Sequence, residues 1–252
     1  MYLTVQALVL RVTPYKDHDA LLTLLTREHG KLTAKVRGLR RKNNPLTAAC
    51  QLLAHCEFTL FEYRGMYTVN EAHPIMLFMD LRNDICKLSL GTYFVQVADI
   101  VCLEDVPNPD LQSLVLNSLY ALSNLNFTET QVKSVFELRC ACIAGYFPDL
   151  RGCFRCGNPF PERFNVREGR LECIHCRDTE SDGLRMPVLP GTIDAMRYIC
   201  FADSKRLFAF TSGEESVDCL SQIAETYLST QLERGFSALD FYKSLLMIDG
   251  YT

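Results

Sequence analysis

The chain contains no run approaching the roughly twenty apolar residues that a membrane-spanning helix requires, which excludes that class of protein. Its first residues, Met1-Tyr2-Leu3-Thr4-Val5-Gln6, offer neither a basic segment nor an apolar stretch, so a secretory leader is not expected and a reducing cytoplasm is. Catalytic signatures are missing too. No G-x-S-x-G, Walker A, H-E-x-x-H or G-x-G-x-x-G sequence occurs, and the absence of Lys-x-Asp-Gly removes an adenylating nucleic-acid ligase. The five histidines (His18, His29, His55, His73 and His175) are scattered, with no nucleophile or carboxylate assignable as a partner. A binding protein is expected rather than an enzyme. Low-complexity tracts are absent as well, and the one internal repetition is a pair of cysteine knuckles.

Those knuckles, Cys153-Phe154-Arg155-Cys156 and Cys173-Ile174-His175-Cys176, stand sixteen residues apart. Two C-x-x-C pairs at this spacing suit a tetrahedral zinc ion, and four thiolates leave no open position for water or substrate. One structural Zn2+ held by Cys153, Cys156, Cys173 and Cys176 is the expectation. A thioredoxin-type redox pair would not account for the second knuckle, while an iron–sulfur cluster remains the alternative occupant. His175 reads as an exposed knuckle side chain, and Arg155 and Arg177 flank the site as N–H···S support or phosphate contacts. The other eight cysteines (Cys50, Cys56, Cys86, Cys102, Cys140, Cys142, Cys200 and Cys219) sit singly among apolar residues and read as core filling.

Charge is unevenly spread. Residues 1–45 carry nine Lys or Arg against three acids, an excess of six, whereas the whole chain is at −4. Lys31, Lys35, Arg37, Arg40, Arg41 and Lys42 place six cations within twelve residues, with no acid among them. The same region reads as strands: Leu3 to Val12, closed by a turn at Pro14–Asp17; Leu21 to Thr26; Lys31 to Arg37 after a hairpin at Glu28–Lys31; Glu57 to Tyr63; and Met66 to Ala72. In the third, Leu32, Ala34 and Val36 face one way and the cations the other. Five antiparallel strands with a basic loop after the third suit an OB-fold barrel over residues 1–78. A strand face followed by a mobile basic loop can track a phosphate backbone. Phe58, Phe61, Tyr63, Tyr67 and Tyr15 are candidate base-stacking rings, with Tyr63 and Tyr67 expected to be the more exposed.

From Asp80 the periodicity turns helical. Leu81, Ile85, Leu88 and Thr92 share one predicted face, and Leu111, Val115, Leu119 and Leu122 another. Val132, Phe136, Leu138, Cys142 and Ile143 continue the pattern; Asp110 and Thr128 or Thr130 are predicted caps. Further helices are expected over about 191–201 and 215–233 and from about 236. The fold class is therefore α+β: an N-terminal five-stranded OB-fold barrel (1–78) followed by a helical domain (79–252) with an inserted four-cysteine zinc finger at about 148–180.

In this order of parts, the chain resembles the RecO family of bacterial DNA repair and recombination proteins nearly end to end. The resemblance rests on Ala7-Leu8-Val9-Leu10-Arg11, Leu21 to Leu32, Lys35-Val36-Arg37-Gly38 with its basic tail, and the two knuckles with Gly157. Asp17, where a glutamate is frequent, and Arg170-Leu171-Glu172, where a glycine-rich turn is common, depart from the pattern. The resemblance implies a cytoplasmic, nucleoid-associated mediator without turnover, and no membrane. It binds single- and double-stranded DNA, anneals strands coated by single-strand-binding protein, and with RecR helps load RecA. Lys31, Lys35, Arg37, Arg40, Arg41 and Lys42 would contact DNA. The helical domain would engage the C-terminal tail of single-strand-binding protein, with Lys133, Arg139 or Arg197 contributing. A zinc-containing, nucleic-acid-binding regulator of transcription or translation is the alternative reading, and a purely structural adaptor a third.

Overall fold

Strict alternation of apolar residues closes the first sheet. The computed structural model describes residues 1–124, 126–176 and 183–248. Strands β1 (Tyr2–Tyr15), β2 (Asp19–Thr26), β3 (Lys31–Val36), β4 (His55–Tyr63) and β5 (Met66–Met76) form a closed barrel in the order β1-β2-β3-β5-β4. Val5, Ala7 and Val9, Leu22 and Leu24, Leu32, Ala34 and Val36, Phe58 and Leu60, and Val69 all point inward to one buried cluster. Because side chains alternate with period two, one continuous set of inward residues needs one register on every strand. β1 serves two neighbours. Its first half pairs with β4 and its second with β2, and a register shift between Val9 and Arg11 lets it bend around the barrel.

Two expectations are corrected here. The strands are not all antiparallel, because β3 and β5 close the barrel as a parallel pair, with Ala34 opposite Tyr67 and Lys35 opposite Thr68. Nor does β1 stop before Pro14, which lies in the strand opposite Ala20. Beyond Leu8 the strand has no β4 partner, so proline, which lacks an N–H to donate, is tolerated on that free edge.

Helix α1 (Ile85–Val101) begins at Asp84, whose side chain accepts from the backbone N–H groups of Cys86 and Lys87. The face predicted for it is wrong. Leu81 lies upstream in a separate 3-10 turn and Ile85 is exposed, while Leu90, Tyr93, Phe94, Val97 and Ala98 are buried. Gly91 lies within contact of Leu53 and Leu119, so α1 is packed on several sides and shows no single stripe. Helix α2 (Pro109–Asn124) is capped by Asn108, which accepts from Leu111 N–H, rather than by Asp110. Pro109 takes the first helical position, where its fixed φ and missing N–H are suited, and Asp110 falls into the first turn. Gln112 of α2 donates to the carbonyls of Gln6 and Leu25 on the barrel. Helix α6 (Ser237–Ile248) packs on α1, with Phe236 edge-on to Tyr93 at 5.3 Å.

The chain divides into two compact units, Met1–Leu125 with Phe236–Thr252, and Asn126–Gly235. The second contains α3 (Glu129–Ile143, capped by Thr128), α4 (Pro190–Phe201), α5 (Glu214–Gln231) and a four-stranded sheet. That sheet consists of β6 (Asp149–Cys153), β7 (Arg163–Asn165), β8 (Arg170–Glu172) and β9 (Arg185–Pro187) in the order β6-β8-β7-β9. Among the described helices, none is long and apolar enough to cross a membrane.

Candidate nucleic-acid interface and metal centre

The basic segment follows directly from β3. Lys31, Lys35 and Arg37 alternate with the buried Leu32, Ala34 and Val36, so they lie on the outer face, as alternation requires. Asp99 of α1 holds Lys31, whose Nζ donates to the Asp99 carbonyl at 2.7 Å and to Oδ1 at 3.2 Å. Asp19 holds Lys35 at 2.7 Å. Both ammonium groups are thus locally balanced and mostly covered. Arg37, Arg40, Arg41 and Lys42 are exposed. Arg37, Arg41 and Lys42 line a cleft of about 530 Å³ with Asp19, Gly38, Asn43 and Asn44, and Arg40 stands outside that lining. The structure therefore brings five of the six predicted cations around the loop, Lys35 among them. It sets Lys31 apart, about 20 Å along the strand from Arg37.

The loop is not the mobile segment expected. Gly38, at φ +63°, donates its N–H to Asp19 Oδ1 at 2.8 Å. The Asn44 amide donates to the Gly38 carbonyl at 2.9 Å, and its Oδ1 accepts from Leu46 N–H. Arg40 N–H donates to the His18 carbonyl and Arg41 N–H to that of Gly38. The Lys35 hydrogen bond, with help from Gly38 N–H, holds the Asp19 carboxyl below its ordinary value. Asp19 and Asn44 are the organising residues that reading by charge alone missed; an acid at the β2 start, facing the cation-rich end of β3, was the available signal.

Of the aromatic candidates, Phe58 lies in the barrel core and Tyr67 is half-buried against it. Tyr15 is half-buried beside Lys16 and Lys35, each 5.4 Å from its ring. Tyr63 is exposed, with the Arg64 guanidinium 5.2 Å from its ring centre.

The four knuckle cysteines do meet. The Sγ atoms of Cys153, Cys156, Cys173 and Cys176 all lie within 4.8 Å of one another, and that of Cys156 is 3.8 Å from that of Cys173. A tetrahedron with Zn–S bonds of about 2.3 Å has an edge of about 3.8 Å, so this donor set fits one such ion. Cys173 N–H donates to Cys153 Sγ at 3.3 Å and the Asn158 amide to Cys173 Sγ at 3.1 Å, which is support suited to thiolates. Burial works to raise the Cys153 thiol, but N–H groups of Cys156, Cys173 and Arg155 overrule it and bring it to about 6. Cys176, hydrogen-bonded to Cys156 and crowded by its neighbours, is pushed up to about 12. Four thiolates so close repel one another unless a cation sits among them. His175 is exposed and lies outside the cluster, Arg155 is exposed, and Arg177 lies outside the described residues.

Below the knuckles, Glu172 is fully buried. It accepts from Arg185 Nε and the Asn165 amide, both at 2.8 Å, while the Arg170 guanidinium lies 3.6 Å over the Phe154 ring. Arg170-Leu171-Glu172 is thus an ionic and stacked underlay to the first knuckle, a role for side chains at the place where the sequence departs from the family's glycine-rich turn. Of the remaining cysteines, Cys50, Cys56, Cys102, Cys140 and Cys200 are buried, and Cys86, Cys142 and Cys219 are partly so.

Residues 1–78 match the family model for the recombination protein O N terminal region, and residues 82–240 match that for its C terminal region. The chain belongs to the RecO family. DNA repair protein RecO of Acetivibrio thermocellus is 32% identical over 246 residues, covering 97% of each chain. The protein of the same name from Alkaliphilus metalliredigens is 27% identical over 248 residues, covering 97% of this chain and all of that one. That of Bacillus subtilis is 28% identical over 223 residues, covering 88% and 86%. These matches span both the barrel and the cysteine-bearing region of this chain.

Proposed function

We propose that this chain is a DNA-binding recombination mediator of DNA repair, acting in the cytoplasm with the nucleoid and without catalytic turnover. The observation that carries the reading is the cation cluster on a pinned loop: Arg37, Arg40, Arg41 and Lys42 are exposed, while Asp19 is already engaged by Lys35 and Gly38. Residues 1–78 serve as the nucleic-acid-binding domain and 79–252 as a helical domain carrying the finger. Guanidinium groups fixed by the loop bind phosphates of single- or double-stranded DNA without reading sequence. Screening two polyanions at one surface lets complementary strands search for register, which is the physical basis of annealing. Partnership with RecR, and through it with RecA loading, belongs to the same reading.

Cys153, Cys156, Cys173 and Cys176 hold one structural Zn2+, which when bound offsets half of the thiolate charge and closes the finger. The structure also supports a choice among the cations considered for the tail of single-strand-binding protein. Lys133 is buried between Glu137 and Glu225, at 3.0 and 2.8 Å, and Arg139 is spent on the carbonyls of Ile199 and Cys200. Arg197, whose Nε donates to the Leu150 carbonyl at 2.9 Å and which pairs with Asp194 at 3.2 Å, borders a cleft of about 580 Å³, largely apolar, with Phe147, Leu150, Phe201 and the Asp149–Arg151 ion pair. The apolar floor suits the apolar side chains of such a tail, and its carboxylates would compete with Asp149 and Asp194 for the two guanidinium groups.

The test is strand annealing in the presence of single-strand-binding protein, comparing the natural chain with Arg37→Glu/Arg40→Glu/Arg41→Glu. Annealing should fall at least tenfold, and the salt dependence of single-strand affinity should flatten by about 2 in log–log slope, at about 0.7 per lost phosphate contact. Unchanged annealing would remove this loop from the interface. Tight binding to one sequence alone would favour a regulator instead.

A further inference from the structure

We propose that Tyr2 and Phe61 form a stacking platform for the unpaired bases of a single DNA strand, joined through Arg37 to the basic loop. The inference rests on the DNA-binding reading above and adds how bare strand is told from duplex. Tyr2 on β1 and Phe61 on β4 are directly opposite in the ladder, and their rings lie 5.2 Å apart at 53°. Their sequence neighbours Leu3 and Leu60 turn toward the barrel core, yet Tyr2 is 62% and Phe61 38% exposed. The two rings thus belong to the outer face and are not core residues displaced outward. They line a cleft of about 280 Å³ with Arg37, Thr68, Val69 and Asn70, a set without a carboxylate.

Arg37 also lines the cleft of the basic loop, so one guanidinium borders both the cationic surface and the aromatic one. Two residues beyond Phe61 on the same outward side, exposed Tyr63 carries the Arg64 guanidinium beside its ring. Moving the other way, the face becomes acidic, with Glu57 opposite Gln6 and Glu71 opposite Thr59. The aromatic pair therefore lies at the cationic end of the face. Cations that hold phosphates beside exposed rings that accept base faces are the two components of sequence-tolerant single-strand binding. Duplex bases are already stacked on one another, so only an unpaired strand gains from the rings.

The chain has no tryptophan, so Phe61→Trp introduces a single indole at the platform. Its emission should be quenched by oligothymidylate but not by an abasic strand of equal length, which retains the phosphates and lacks the bases. Tyr2→Leu and Phe61→Leu, chosen to preserve apolar packing, should each weaken oligothymidylate binding about tenfold while weakening duplex binding less than twofold. Circular dichroism checks that both variants remain folded. Equal losses on strand and duplex, or equal quenching by the abasic strand, would overturn the platform. So would a response to an acidic aromatic peptide with none to DNA. The failures are separable: normal DNA binding by the triple Arg→Glu variant refutes the loop interface. Loss there, with full strand affinity in the Leu variants, refutes the platform alone.

Discussion

The barrel and the finger both contain close cysteines, and they use them in opposite ways. In the barrel, Cys50 and Cys56 sit in the apolar core, where burial pushes their thiols up to about 12 and about 11. They fill space. In the finger, burial also acts upward on Cys153, but three backbone N–H groups reverse it, and four sulfurs converge where a core would otherwise be. The difference follows from size. Five strands can enclose Phe58, Leu22, Leu24 and Leu60 completely, whereas the finger's strands beyond β6 are three residues long and depend on thiolates and a buried ion pair. The same residue type fills space where enough apolar surface is available and gathers into a set able to hold an ion where it is not.

This contrast breaks most clearly with Cys153→Ser. Metal content should drop from about one zinc per chain to none, and structure over the finger should be lost, because ion binding of order 10 kcal/mol is also folding free energy in such sites. Metal analysis and near-ultraviolet dichroism check this; a metal-free protein with the finger intact would refute it. Phe58→Ala is the converse and comes next in size. It should cost the barrel about 3–5 kcal/mol in urea denaturation while leaving metal content unchanged, since the ring lies wholly in the apolar cluster. Zinc loss in that variant would mean that the barrel and the finger do not fold independently.

A smaller effect sharpens the comparison within the barrel itself. Asp19 titrates lower in the folded state than in the unfolded chain, whose ordinary value is 3.8. The unfolded form therefore binds its proton first as the medium is acidified. The stabilisation is complete above about pH 5 and is lost as pH falls through 3.8 and then through the lower native value. Amide exchange at Gly38 should lose protection over that window, and Asp19→Asn should remove most of the dependence. An unchanged profile in Asp19→Asn would mean the loop is anchored otherwise.

Much of this was legible in the sequence because the relevant signals are local. The alternation of Leu32, Ala34 and Val36 fixes which side of β3 the cations occupy, and the knuckle spacing brings four sulfurs together. What was not legible depends on partners far along the chain. Nothing near Lys31 announces Asp99, 68 residues later, so its charge looked free. The buried faces of α1 escaped periodicity because Tyr93 awaits Phe236, more than half the chain away. The parallel pairing of β3 and β5 is likewise set by barrel closure and leaves no mark on either strand.

That same Tyr93–Phe236 contact bears on how the protein is made. The barrel's compact unit is interrupted at Asn126 and resumes at Phe236, so α1 cannot receive α6 until the whole intervening segment has left the ribosome. At about 5–20 residues per second, those 110 residues take about 5–20 s. During that interval the nascent chain exposes the apolar side of α1 that α6 later covers. The segment Asn126–Gly235 has its own helices and its own four-cysteine cluster and can mature meanwhile, so a unit begun first in translation is completed last.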